Sequence, residues 1–101
     1  MILNISKEAF TDIFNIEQYL ARHFGIRIAK EKIAKLYKDI KILADNPYMG
    51  KCADGHDENF RLLSSPPNII LYDVTDTTIE ILHVADARTD YMSTFFPDIK
   101  Q

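Results

Sequence analysis

The spacing of hydrophobic positions predicts that the chain begins with a short strand and an amphipathic helix. The first residues, MILNI, form an apolar run of strand type. Apolar residues then recur mostly in steps of three or four, which is the period of a helix that buries one face. Ser6 is placed to cap this helix, and Gly25 is placed to end it in a left-handed conformation. Its apolar positions are Phe10, Ile13, Phe14, Leu20 and Phe24.

A second amphipathic helix is predicted directly after Gly25, because the same spacing resumes there. Since only Gly25 separates the two helices, they should fold back on each other as an antiparallel hairpin. The run Asp45-Asn46-Pro47 should stop the second helix, because the residue before a proline is driven out of helical geometry. The apolar positions of this helix are Ile26, Ala29, Ile33, Leu36, Ile40 and Leu43.

Three strands are predicted in the second half of the chain. FRLLSS, NIILYDV and TIEILHV are strand-like segments separated by the turn-prone PP and TDT. Connections this short require antiparallel neighbours. The polar stretch YMGKCADGHDEN before them is predicted to be a loop. The tail should add a short turn or strand whose Phe95 and Phe96 pack against the body of the protein.

Together these elements predict one α+β domain over residues 1–101. Its two layers are a small antiparallel sheet and the antiparallel helix hairpin, which packs on one face of the sheet. The elements follow the order β-α-α-β-β-β, with the N-terminal strand at an edge of the sheet. The apolar runs are far too short to cross a membrane, and polar residues interrupt the start where a signal peptide needs an apolar stretch. The single cysteine, Cys52, excludes an internal disulfide. We expect a cytoplasmic protein.

The net charge of −3 conceals an uneven distribution along the chain. Residues 26–44 hold six basic and two acidic residues, a balance of +4, whereas residues 51–101 hold four basic and nine acidic residues, a balance of −5. Binding to nucleic acid requires lysine and arginine gathered where the phosphates lie. The lysines of the second helix suit a solvated face, and the half of the chain that holds the candidate site is acidic, so we expect no direct sequence-specific DNA binding by this chain alone.

Four segments, taken in this order, make the chain resemble the RelE/ParE superfamily of bacterial toxins, the toxic halves of type II toxin–antitoxin pairs. The resemblance implies a RelE/ParE-like fold and a toxin that is neutralised by a cognate antitoxin, whose extended segment wraps over it. RelE-like members are ribosome-dependent mRNA endonucleases, whereas ParE-like members act on DNA gyrase through protein contacts. The segments are SKEAFTDIFNIEQYL, LADNPYMGK, FRLLSSPPNIILYDV and IEILHVADARTDY.

A RelE-like activity would need acid–base and cationic groups in one place. Metal-free RNA cleavage requires a base for the 2′-hydroxyl, cations for the phosphorane and an acid for the leaving oxygen. Arg61 and Arg88 are the candidate phosphate clamps, and the resemblance supports both, since they match arginines at the start of a strand and just after the last long strand. His83 or Tyr91 is the candidate acid or base, with Lys51 as an additional cation.

Each of these candidates also has a structural interpretation. His83 lies on an apolar strand in phase with Ile79 and Ile81, which is typical of a hydrogen-bonded residue at the edge of a core. Arg88 stands between two aspartates, an arrangement that favours a salt bridge as much as a phosphate contact. Tyr91 suits an aromatic anchor for the tail.

Charge favours the ParE-like interpretation. A nuclease cleft in an acidic half of the chain would repel RNA, so we expect a protein that acts by binding DNA gyrase rather than a ribosome with its mRNA. The alternatives are an mRNA endonuclease, or a non-toxic relic that serves only as a binding partner. We expect no cofactor, and no metal at His56, Asp57 and Glu58, because adjacent loop residues point in different directions.

Overall fold

A sheet of five strands carries two helices on one face and a short third helix on the other. The computed structural model describes residues 1–53 and 59–96. No helix in these ranges has the length and apolar character needed to cross a membrane. The elements are β1 (Ile2–Ile5), α1 (Lys7–Phe24), α2 (Ile26–Ile42), β2 (Lys51–Cys52), β3 (Phe60–Ser65), β4 (Asn68–Val74), β5 (Thr78–Asp86) and α3 (Tyr91–Phe95).

The strands lie in the order β1-β5-β4-β3-β2. The predicted antiparallel pairing of the three long strands is confirmed, and so is the edge position of β1. However, β1 runs parallel to β5, from Ile2 opposite Thr78 to Ile5 opposite Ile81, so the sheet is mixed. The expected loop after α2 is partly wrong as well, because Lys51 and Cys52 pair with β3 as the second edge strand.

The helix hairpin begins and turns where its local chemistry predicts. Ser6 caps α1, since its hydroxyl oxygen accepts a hydrogen bond from the Ala9 amide at 3.0 Å. Gly25 separates the helices with φ 93° and ψ 159°. Its φ is positive as predicted, but its ψ lies far from the left-handed helical value and sends the chain off in an extended direction. A residue with a Cβ is strained in this region, which explains the glycine.

The hydrophobic core lies between the hairpin and the sheet. A second, smaller cluster on the opposite face holds α3, and the predicted packing of Phe95 and Phe96 against the body is confirmed there. The predicted turn or strand of the tail is wrong, because Tyr91–Phe95 form a short helix. The core side chains that meet at the helix face include Ala9, Ile13, Ile33, Leu36, Ile40, Ile70, Tyr72, Val74, Ile79 and Ile81. The opposite cluster is built on Ile69, Leu71 and Phe95.

The apolar residues of α1 extend over more of the helix surface than the face that the helix buries. The prediction that its apolar positions form a single buried stripe is wrong for three phenylalanines. Phe10, Phe14 and Phe24 are 51%, 55% and 57% exposed, whereas Ile13 is 3% exposed. Phe10 and Phe14, one helical turn apart, therefore present an aromatic surface to solvent.

A β-bulge in β5 changes the side to which its last residues point. Leu71 pairs with His83 but Tyr72 pairs with Ile81, which leaves Leu82 as an extra residue without a partner on β4. The start of α1 satisfies the interrupted backbone. The Ser6 hydroxyl donates to the Leu82 carbonyl at 3.0 Å. The carboxylate of Asp12, nearly two turns further along α1, accepts the Val84 amide of β5 at 3.0 Å.

Candidate functional site

His83 links three elements instead of lying free in a cleft. Its Nδ1 is 3.0 Å from Asp12 Oδ2 on α1, and its ring stacks on Phe95 of α3 at 5.7 Å between centroids. The same Asp12 oxygen accepts the Val84 amide at 3.0 Å. Asp12 could not be identified from the sequence, because its position within the periodicity of α1 does not show that it reaches β5.

Tyr91 contacts the same phenylalanine. Its ring packs on Phe95 at 5.6 Å between centroids, so His83 and Tyr91 both contact Phe95 on one side of the sheet. The contact gives Tyr91 the anchoring position expected of the first residue of α3.

Arg88 is paired with Asp86. Arg88 Nε and Nη2 donate to the carboxylate at 2.9 and 2.6 Å, and the Arg88 backbone amide donates at 2.8 Å. These bonds, the side-chain bonds first, lower the pKa of Asp86 from 3.8 to about 2. Arg88 remains 76% exposed, but a carboxylate that stays charged to low pH offsets its attraction for a phosphate.

Arg61 is used to hold the chain between α2 and β2. Its Nη1 donates to the Gly50 carbonyl at 2.8 Å and to the Tyr48 carbonyl at 3.4 Å, and its guanidinium carbon lies 4.9 Å from the centre of the Tyr48 ring. Arg61 Nε is buried and has no acceptor within residues 1–53 and 59–96. Lys51 follows this segment as the exposed first residue of β2.

Tyr72 holds the same segment from the core. It is fully buried, and its hydroxyl accepts from the Gly50 amide at 2.8 Å and donates to the Pro47 carbonyl at 2.9 Å. Burial raises the pKa of Tyr72. A Cβ on Gly50 would lie 2.7 Å from the Leu62 carbonyl oxygen and from the Tyr72 hydroxyl, so only glycine fits without movement. We call residues 47–50, fixed in this way, the anchored loop.

The strand register places Arg61 and His83 on opposite faces of the sheet. Side chains of directly paired residues lie on the same face, and successive residues alternate between faces. Arg61 pairs with Tyr72, which belongs to the core under the helices. His83 pairs with Leu71, which belongs to the opposite cluster. The bulge thus moves His83 out of phase with Ile81, contrary to the phase inferred from sequence.

The four candidate residues therefore do not share one cleft. His83 and Tyr91 both contact Phe95, whereas Arg61 lies on the helix face of the sheet. Arg88 lies beyond the end of β5 and is paired with Asp86, the last residue of that strand. Phosphoryl chemistry depends on an acid–base group and cations around the same oxygen atoms.

No metal-binding cluster of three or more His, Cys, Asp or Glu side chains occurs in the ranges 1–53 and 59–96. The adjacent His56, Asp57 and Glu58 considered from the sequence lie outside the described residues.

A helix hairpin on a small mixed sheet, with β1 at the edge beside β5, defines a RelE/ParE-like toxin fold. The sequence matches the family described as ParE toxin of type II toxin–antitoxin system, parDE, over residues 3–91. The chain belongs to this family of toxins.

Two solved structures show the same fold. A chain of the chromosomal ParDE TA system from P. aeruginosa has a TM-score of 0.75 at 19% identity, with 85% of this chain and 95% of that chain covered. A conserved hypothetical protein from Helicobacter pylori has a TM-score of 0.52 at 22% identity, with coverage of 85% and 93%. Among curated proteins, no sequence matches this chain.

Proposed function

We propose that this toxin inhibits DNA gyrase by binding it, and that a cognate antitoxin neutralises it in the cytoplasm. Membership of the ParE family supports the proposal. The observation that carries it is the separation of Arg61 from His83 across the sheet, because an endonuclease needs such groups in one cleft.

The contacts that Arg61 and Arg88 already make also favour gyrase binding over RNA cleavage. Arg61 directs its charge at two backbone carbonyls and an aromatic ring, and Arg88 directs its charge at Asp86. A guanidinium that already has such partners must give them up to hold a phosphate, which reduces what the new contact gains. The geometry is better suited to a protein that recognises another protein.

The surface of the helix layer suits the antitoxin. Phe10 and Phe14 expose about half of their surfaces on α1. A groove of about 460 Å³ on α2 combines the side chains of Tyr37 and Ile42 with the lysines at 38 and 41. An extended or helical segment with apolar and acidic side chains would cover both features, in the manner of a peptide that lays its apolar face on a hydrophobic surface.

Induction of the chain in growing bacteria tests the activity. RNA integrity, DNA breaks and the SOS response are followed in one culture, with Arg61→Ala and Arg88→Ala alongside the wild type. We expect DNA damage with intact mRNA, and an Arg88→Ala variant that remains toxic because Arg88 has no part in the proposed contact. Rapid mRNA cleavage that either substitution abolishes would establish the nuclease instead. Normal growth would indicate the non-toxic relic.

Co-expression with the product of a small adjacent reading frame tests the antitoxin. We expect that this product restores growth and co-purifies with the toxin, and that Phe10→Ser combined with Phe14→Ser weakens the complex while leaving toxicity intact. Tyr19→Ser, at a comparably exposed aromatic position of α1 (54%), serves as the control. Equal binding of all three forms would place the antitoxin elsewhere.

A further inference from the structure

The anchored loop displays two large side chains to solvent. Tyr48 is 62% exposed and Met49 is 48% exposed, and the two are neighbours in sequence between α2 and β2. Single exposed apolar residues are ordinary, but adjacent ones in a loop form an apolar patch of the kind that marks sites of protein–protein contact. Tyrosine and methionine are both enriched at protein interfaces.

The loop that displays them is fixed by groups from the sheet. Tyr72 binds the Pro47 carbonyl and the Gly50 amide, and Arg61 binds the Tyr48 and Gly50 carbonyls. Four hydrogen bonds thus restrain a connection of a few residues.

Holding the loop has a cost to the fold. The Arg61 guanidinium lies at the sheet with a buried Nε that lacks an acceptor among the described residues, and an unsatisfied buried donor destabilises a protein. Gly50 is confined to glycine by the contact distances around it. The side chains of Tyr48 and Met49 themselves stay largely outside the core.

A loop ordered before binding loses little conformational entropy when it binds. Such pre-organisation favours a partner that is itself folded and offers a shaped pocket. Two basic groups lie beside the loop, since Lys51 is exposed at its end and the Arg61 guanidinium lies against Tyr48. A complementary pocket is therefore apolar at its base and acidic at its rim.

We propose that the anchored loop is the surface by which this toxin engages its target protein, with Tyr48 and Met49 entering an apolar pocket whose rim is acidic. The inference rests on the proposed function, because it concerns how gyrase is recognised. Arg61 is then a positioning residue that shapes the loop and orients Tyr48.

The test measures binding to the purified bacterial DNA gyrase holoenzyme and inhibition of its supercoiling activity. The main variant combines Tyr48→Ser with Met49→Ser, and Met49→Glu is a second variant that leaves the contact between Arg61 and Tyr48 in place. The matched control combines Tyr19→Ser with Ile26→Ser, two side chains that are 54% and 67% exposed on the helix hairpin. Circular dichroism melts establish that each variant is folded.

We expect both loop variants to bind gyrase at least about tenfold more weakly, as for residues that dominate an interface, and the control to bind as the wild type does. Lys51→Glu should weaken binding most at low salt, because the acidic rim would then meet a like charge. Folded loop variants that inhibit gyrase as strongly as the wild type would overturn the inference and leave the proposed function standing. A wild-type protein that neither binds nor inhibits gyrase would overturn both.

Discussion

The Tyr72 hydroxyl should stabilise the whole domain through the anchored loop. Tyr72→Phe removes one oxygen atom and keeps the ring, so the packing of a fully buried side chain is retained. Two hydrogen bonds are lost, at 2.8 Å from the Gly50 amide and 2.9 Å to the Pro47 carbonyl. Gly50 is buried, and its amide is then left without the partner that the structure provides.

The magnitude follows from these two groups. A buried donor left unsatisfied costs about 1–3 kcal/mol, and a partly hydrated carbonyl costs less, so we expect a loss of about 2 kcal/mol. For a domain of this size, that corresponds to a fall of about 10 °C in the melting temperature.

Urea unfolding followed by far-ultraviolet circular dichroism measures the change, with thermal melts as a second probe. The slope of the unfolding free energy against urea should not change, because both forms expose the same surface. Tyr19→Phe is the control, since Tyr19 is 54% exposed and should change stability by less than about 0.5 kcal/mol. A Tyr72→Phe protein as stable as this control would refute the anchoring role.

The same tyrosine has an effect at high pH. Its pKa in the folded protein lies above the value of 10.0 of a free tyrosine because of burial, so the unfolded chain ionises first. The unfolded state then binds fewer protons, and the free energy of unfolding should fall as the pH rises through 10. Tyr72→Phe should fall less steeply; identical slopes would contradict the raised pKa.

Three further predictions concern Gly50, Gly25 and Arg88. Gly50→Ala should destabilise the protein by about 1–3 kcal/mol because its Cβ would lie 2.7 Å from the Tyr72 hydroxyl, and combined with Tyr72→Phe it should cost less than the sum of the two changes in urea unfolding. Gly25→Ala should lower the stability by a similar amount because of its φ of 93° alone, since a Cβ there would meet no atom within 4 Å. Its effect should therefore add to that of Tyr72→Phe. Arg88→Ala should raise the pKa of Asp86 from about 2 towards 3.8, measured by titration of its carboxyl carbon by nuclear magnetic resonance. Asp86 adds stability that is present above pH 3.8 and lost as the pH falls towards 2, and this dependence should weaken in Arg88→Ala.

A carboxylate on α2, Asp39, connects this helix to the sheet. Asp39 accepts from Lys35 at 2.6 Å and from the buried Ser65 at 2.5 Å, and these bonds, that from Lys35 first, lower its pKa. This cluster ties α2 to the end of β3. The pair of Arg88 with Asp86 instead lies within the single turn at the end of β5.

The local features of the fold could be predicted from the sequence. The two helices follow from apolar residues in steps of three or four, the cap from the Ser6 hydroxyl, and the joint from Gly25, all of which depend on atoms within a few residues. The antiparallel strands follow from connections too short to permit another arrangement. Such features can be predicted because the interactions that stabilise them join residues that are close together in the sequence.

The candidate site depended on distant contacts that no local pattern contains. Asp12 meets His83 from 71 positions away, and it also accepts a hydrogen bond from the backbone beyond the bulge at Leu82. That bulge reverses the phase of β5 and separates His83 from Arg61, because one extra residue shifts every following side chain to the other face. The sequence by itself determined the two long helices, the three antiparallel strands and which chemical groups the protein possesses. Only the tertiary structure decided which of those groups meet, since strand register and burial are set by packing between segments far apart in the chain.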